Sequence, residues 1–313
     1  MIRNTPDSNQ IARDYLDSIL IEQRLIGSQT PSTQFELFGQ RFSTPVMMPA
    51  FSHLKPYAPG RESGLIEYSR GAKDANAVNF VGMIENEGFL QIVKANPNTI
   101  RIVKPYADRE KIFSQLTFAE QEGALAVGMD IDHFFNKTNG QWDLCVGELL
   151  QPQSEEMLKE NISSVRIPFV VKGVLSVKDA AACAEAGADA VIVSHHHGRL
   201  NYAVPPLMVL PDICRELKGT GIRIFADCSI DTGYDVFKAI ALGADAVCVG
   251  RALLPDLEKD GAVGTKRCLD RMTGELAAAM AFTGAKCLSQ ITADVLWSSV
   301  TGKRIVPSDT NSR

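Results

Sequence analysis

Runs of lysine or arginine are missing from this chain. Its 313 residues carry 32 basic and 37 acidic side chains, for a formal net charge of −5. A nucleic-acid footprint or an anchor on anionic membranes needs clustered cations, so neither partner is expected. Long apolar runs are missing as well: no stretch reaches the ~18 uninterrupted apolar residues of a membrane span. Residues 1–13 are polar and lack the apolar centre of a signal peptide. Paired cysteines are the third absence. The seven cysteines, at 145, 183, 214, 228, 248, 268 and 287, form no C-x-x-C pair and leave an odd total. This argues against a disulfide framework or a structural zinc and for a reducing compartment. The expectation is a soluble, cytoplasmic protein.

What the chain does have is apolar content, 45% against 22% charged, enough to bury a large core. Short β-rich apolar runs recur at 45–49, 77–81, 99–103, 124–130, 167–172, 188–194, 222–227 and 244–250. Segments with helical periodicity separate them, most clearly at 63–75, 108–123, 176–187 and 232–243. Gly187-Ala188-Asp189-Ala190-Val191 returns as Gly243-Ala244-Asp245-Ala246-Val247, a helix-ending glycine that launches a buried strand each time. Strands alternating with helices imply parallel pairing with right-handed crossovers. Eight such units close into a (β/α)8 barrel, the α/β fold expected here as one domain over 1–313. A doubly wound sheet is the alternative. Outside the repeat lie an amino-terminal extension (1–40) with a helix over roughly 10–26, read as plugging the barrel's lower end, a loop at 131–153 and a flexible tail at 308–313.

In such barrels the chemistry sits at the carboxyl ends of the strands. Those ends read Lys104 and Tyr106, then Asp130, Lys172, His195-His196-His197 with Arg199, Asp227, and Gly250-Arg251. Imidazoles move protons near neutral pH, and a guanidinium grips a carboxylate with paired hydrogen bonds. On an extended strand His195 and His197 would share a side, and with Asp130 or Asp227 they would make a two-histidine, one-carboxylate metal site. The lysine beside it opposes a cation, so no metal is expected.

Lys172-Gly173, Ser194-x-His196-x-Gly198-Arg199, Asp227 and Gly250-Arg251 together resemble the FMN-dependent α-hydroxy acid oxidase and dehydrogenase family. The likeness is strongest over 167–291 and weaker from 35 to 130; residues 271–288 resemble the family's closing helix. It implies FMN as cofactor and oxidation of a 2-hydroxy acid or related alcohol, two electrons passing to flavin N5. Lys172 would sit by the N1 and O2 edge, with Pro49 and Ala50 under the ring. Gly250 and Arg251 would hold the phosphate, and Lys104, Ser194, Asp227 and Ser229 complete the cofactor set. His196 would be the catalytic base and Asp130 its partner. Arg199 would hold the substrate carboxylate, and Tyr106 would bond the reacting oxygen.

The departures are specific. Where the family has Asp-Gly-Gly-Val-Arg, this chain has Asp227-Cys228-Ser229-Ile230-Asp231, losing two glycines and turning a cation into an anion. Lys104 replaces a glutamine, His195 and His197 flank the expected base, and 131–139 lacks a second carboxylate-binding arginine. His133, Phe134 and Phe135 would make that wall aromatic. These changes keep two alternatives open: a degenerate flavin- or phosphate-binding barrel without redox turnover, and an FMN-dependent isomerase like the type 2 isopentenyl diphosphate isomerases. A small anionic substrate and a homo-oligomer, tetramer or octamer, are the partners the resemblance implies.

Overall fold

In a computed structural model of the chain, residues 7–305 are described. The tail expected at 308–313 lies outside the described residues. Eight strands form one parallel sheet: β1 (Val46–Met47), β2 (Asn79–Val81), β3 (Thr99–Val103), β4 (Ala126–Asp130), β5 (Phe169–Val174), β6 (Ala190–Val193), β7 (Arg223–Ala226) and β8 (Ala246–Cys248). Each of the eight apolar runs supplied one. Every neighbour pairs in sequence order, and β8 returns to β1 through Val247↔Val46. The β1–β2 seam is joined by Met48 N–H to the Val78 carbonyl, 2.9 Å, and Gly82 N–H to the Phe51 carbonyl, 2.8 Å. The (β/α)8 reading stands, and the open doubly wound sheet does not.

Helices α2 (Gly64–Asp74), α3 (Asn86–Ala95), α4 (Arg109–Gln121), α5 (Glu155–Ser163), α6 (Val177–Ala186), α7 (Pro206–Glu216), α8 (Gly233–Ala241) and α9 (Leu254–Thr283) follow the strands in order. The repeated Gly-Ala-Asp motif has a physical basis. Gly187 and Gly243 end α6 and the α8 turn at φ 92° and 115°, where an L side chain is strained. Asp189 and Asp245 then accept the Phe169 and Ile224 N–H groups, each at 2.8 Å, pinning the starts of β5 and β7.

Side chains fill the barrel interior: Phe80 and Phe225 meet edge to face at 6.4 Å, with Val78, Ile100, Val170 and Ile192 in the same cluster. Phe35, Leu37 and Phe42 belong to it too. They come from a hairpin, Phe35–Leu37 with Gln40–Phe42, which plugs the amino-terminal end of the barrel.

The amino-terminal helix departs from expectation in length and in place. α1 spans Ser8–Asp17, because Ile19–Ile21 leaves the helix to pair with Leu296–Ser298. It does not plug the lower end; the hairpin does. α1 instead lies across the loops that follow β6, β7 and β8. Ser8 Oγ donates to the Leu200 carbonyl at 2.6 Å and accepts from Ala203 N–H at 3.0 Å. Arg13 reaches the Ser229 carbonyl at 2.8 Å, and the Asn9 carboxamide oxygen takes a bond from Arg251 at 3.2 Å. These polar anchors hold α1 at the carboxyl ends of the strands.

Candidate active site

The ends of β3, β4, β5 and β6 deliver one ionic cluster. Asp130, at the end of β4, accepts from the Lys104 ammonium and from Lys172 Nζ at 3.0 Å. Burial opposes its charge, yet His196, Lys104 and Lys172 outweigh it and hold the carboxyl well below the usual range. Lys172 is the mirror case: burial opposes the ammonium, while Asp130, Asp132 and Asp227 raise its pKa above an ordinary lysine's.

His196 lies 3.3 Å from Asp130 through Nδ1, but 2.6 Å from Asp132. Its principal partner is therefore Asp132, which the strand-end reading passed over; the run Asp130-x-Asp132-His133 was the available signal. An ionised carboxylate only accepts, so in this bond Nδ1 is the nitrogen that carries a proton. Gly173 makes room for this pair. Its φ is 96°, and a Cβ there would sit 2.5 Å from the Asp132 carboxyl carbon. Gly173→Ala is therefore expected to strain the backbone by about 1–2 kcal/mol and to push Asp132 off His196. Steady-state turnover falling about tenfold or more, with the fold retained by circular dichroism, is the result that checks it.

The three histidines occupy a turn. His196 and His197 have φ of 44° and 58°, a left-handed pair that costs about 1–3 kcal/mol per residue. His196 N–H donates to Ser194 Oγ at 3.0 Å, and Gly198 N–H to His195 Nδ1 at 3.1 Å. His195 is turned inward at 3% exposed, burial lowering its pKa, whereas His197 meets Arg251 at 2.6 Å. The extended geometry that would align His195 with His197 on a metal is absent. Among the described residues, the group that brings three possible ligand atoms within 4.8 Å is Asp130, Asp132 and His196. Two ammonium groups on Asp130 oppose a dication there.

Beside the cluster opens a cavity of about 670 Å³. Pro49, Ala50, Lys172, His196, Asp227, Ser229, Gly250 and Arg251 line it, as do Asn9, Gln10 and Arg13 of α1. No local signal marked the α1 residues, whose partners lie some 190–240 positions away. Five expected residues do not line the cavity. Lys104 and Asp130 form the ion cluster, and Ser194 supports the histidine turn. Tyr106 is 2% exposed, with Lys111 Nζ 4.7 Å from its ring centre; burial raises its pKa above the usual tyrosine range. Arg199 is ion-paired with Asp143 at 3.3 Å.

Asp143 belongs to the loop at 131–153, folded into two short hairpins and latched by Lys137 Nζ to the Gly198 carbonyl at 2.5 Å. Of the aromatic wall, His133 faces the His196 ring edge to face at 5.7 Å. Phe134 and Phe135 pack instead on Trp142, at 6.0 and 5.5 Å.

The cavity fits the cofactor the resemblance implies, despite the lost glycines. Cys228 and Ser229 hold φ of 73° and 59°, so the turn keeps the left-handed backbone that glycines adopt without strain. The Ser229 and Ile230 N–H groups have no partner among the described residues, which leaves donors for an anion. Asp231 is drawn toward Arg13, 3.6 Å away. Every N–H of the Arg13 guanidinium is taken, by Asp17, Asp235 and the Ser229 carbonyl, so Arg13 holds the turn in shape.

The sequence model of the FMN-dependent dehydrogenase family matches residues 4–153 and 137–298. The 2-hydroxyacid oxidase of Dictyostelium discoideum is 25% identical over 308 residues, covering 89% of this chain and 79% of that protein. An L-lactate dehydrogenase of Pseudomonas putida (strain F1) is 42% identical over 130 residues, 41% of this chain and 34% of that protein. Solved structures of mandelate oxidase have the same fold. One without a named ligand has a TM-score of 0.80 at 24% identity, covering 90% of this chain and 88% of the other. Another, with benzoyl-formic acid, reaches 0.81 at 24% identity and covers 90% and 87%. A match that runs through the barrel from α1 to the closing strand places the chain in the FMN-dependent dehydrogenase family.

Proposed function

We propose that this protein oxidises a small 2-hydroxy acid, with His196 as the base. The observation that carries the reading is the His196–Asp132 bond of 2.6 Å at the wall of the cavity, beside Lys172. FMN is the cofactor, and when bound it supplies the two-electron acceptor. Arg251 and the N–H groups of Ser229 and Ile230 would hold its phosphate, Asp227 would accept from its hydroxyls, and Lys172 would face the ring edge that gains negative charge.

His196 Nε2 takes the substrate proton. Asp132 fixes the imidazole through Nδ1, and the buried Asp130 carboxylate offsets the charge the ring gains, as a general base requires. The Asp130 charge is available because Lys104 and Lys172 keep that group ionised. Arg199, which meets Asp143 at 3.3 Å, would take the substrate carboxylate. The left-handed backbone kept at Cys228 and Ser229 supports this reading over a degenerate barrel. Seven free cysteines support a reducing, cytoplasmic setting, and no helix among the described residues is long and apolar enough to cross a membrane. A homo-oligomer, tetramer or octamer, completes the proposal.

The experiment is anaerobic mixing of the yellow protein with a panel of 2-hydroxy acids. Loss of the flavin absorption with at least one of them is expected. A coloured protein that no 2-hydroxy acid reduces overturns the substrate class. Protein that is colourless and takes up no added FMN overturns the whole reading.

A further inference from the structure

Two buried acceptors beside His196 lack a donor. Arg199, the cation available for a substrate carboxylate in this loop region, already meets Asp143 at 3.3 Å. Asp143 is held from three other sides. Its Oδ2 lies 3.0 Å from His133 Nε2, and its Oδ1 accepts from Leu144 N–H at 3.0 Å and Asn136 at 3.4 Å. Burial first, then Lys104, Arg199 and His196, pushes the His133 pKa down to about 4. That ring is therefore neutral near pH 7. With its Nε2–H given to Asp143, its Nδ1 is a bare acceptor, buried and without a partner among the described residues. Asp132 Oδ2 is a second buried acceptor in the same condition. A buried acceptor without a donor is costly, so the arrangement favours a ligand that brings one.

We propose that Asp143 and His133 select a 2-hydroxy acid bearing a further hydrogen-bond donor, a hydroxyl or an amino group, next to the reacting carbon. The carboxylate of such a substrate shares Arg199 with Asp143, and its extra donor repays Asp143 for the shared cation. A hydroxy acid with only an alkyl side chain meets the Asp143 charge and the bare His133 nitrogen with nothing to give. This inference rests on the proposed 2-hydroxy acid oxidation and names its substrate class.

The test compares glycerate with lactate, acids of equal carbon count that differ by one hydroxyl. Flavin reduction is followed in the FMN-loaded wild type and in Asp143→Asn. A donor to a charged acceptor corresponds to about a ten- to hundredfold preference, so the wild-type kcat/KM ratio should favour glycerate by that factor. Asp143→Asn should pull the ratio toward one, mainly by lowering KM for lactate, and should tighten competitive inhibition by oxalate about tenfold as the like charge goes. A ratio is insensitive to the fraction of folded enzyme, and Asp143→Ala, which also removes the charge, must move it the same way. A wild type that prefers lactate, or a ratio unchanged in both variants, overturns the proposal. If neither acid nor any other 2-hydroxy acid reduces the flavin of wild type or variants, it is the parent reading that fails.

Discussion

Replacing His196 with alanine is expected to abolish flavin reduction by substrate while FMN stays bound. The general base contributes about 10²–10⁴ in rate, and removing it strips the proton acceptor without touching the donors at the far end of the cavity. Those donors, the Ser229 and Ile230 N–H groups and Arg251, belong to other strand ends and do not depend on the imidazole. Anaerobic stopped-flow absorbance reads the rate, and FMN released on denaturation reads the occupancy. Reduction within tenfold of wild type would remove His196 from the role. Loss of the flavin itself would show that the histidine turn, strained at φ 44° and 58°, holds the cavity rather than the proton.

Lys172→Met is expected to cost more in stability than any surface change. It leaves Asp130, 3% exposed, with Lys104 as its one remaining ammonium. Removing one partner of a buried ion pair costs about 3–5 kcal/mol, and the surviving Lys104 puts this case near the lower figure. The pH dependence gives the signature. The folded-state pKa of Asp130 is depressed, so its contribution is present above the unfolded carboxyl value near 4 and is lost as pH falls through the folded value. With Lys172 gone the depression shrinks and Asp130 protonates at higher pH. The gap between wild type and variant in urea unfolding should therefore hold from pH 7 to about pH 4 and narrow only below it, as wild-type Asp130 begins to protonate. A gap that is constant with pH would mean the loss is one of packing alone.

The barrel was legible because its physics is local. Runs such as Ala190-Val191-Ile192-Val193 are short and β-branched, and each strand's ends, from Thr99–Val103 to Ala190–Val193, fall inside or within two residues of the apolar run that announced it. The placement of the strand-end side chains was legible for the same reason, since a strand's last residue is known once the strand is. Lys172, His196, Asp227 and Arg251 meet at one cavity by that rule. Legibility stopped where distance in sequence grew. Asp132 lies two residues past the end of β4 and approaches His196 because Gly173, on the neighbouring strand, has no Cβ to occupy the space. The helix pattern of α1 says nothing about which face of the barrel it covers; Arg13 on Asp235 and Ser8 on Leu200 decide that.

The sequence alone therefore determined the eight-fold alternation and the parallel sheet, because periodicity carries them, and the cofactor class through the resemblance of its strand-end motifs to a known family. Only the tertiary structure decided three further matters. The three histidines form a left-handed turn in which one faces the cavity wall with Asp132 behind it. Cys228 and Ser229 take left-handed backbone although neither is a glycine. Arg199 is already held by a carboxylate of the chain itself. Each of these turns on backbone angles and on charges brought together from distant strands, which no local pattern of residues records.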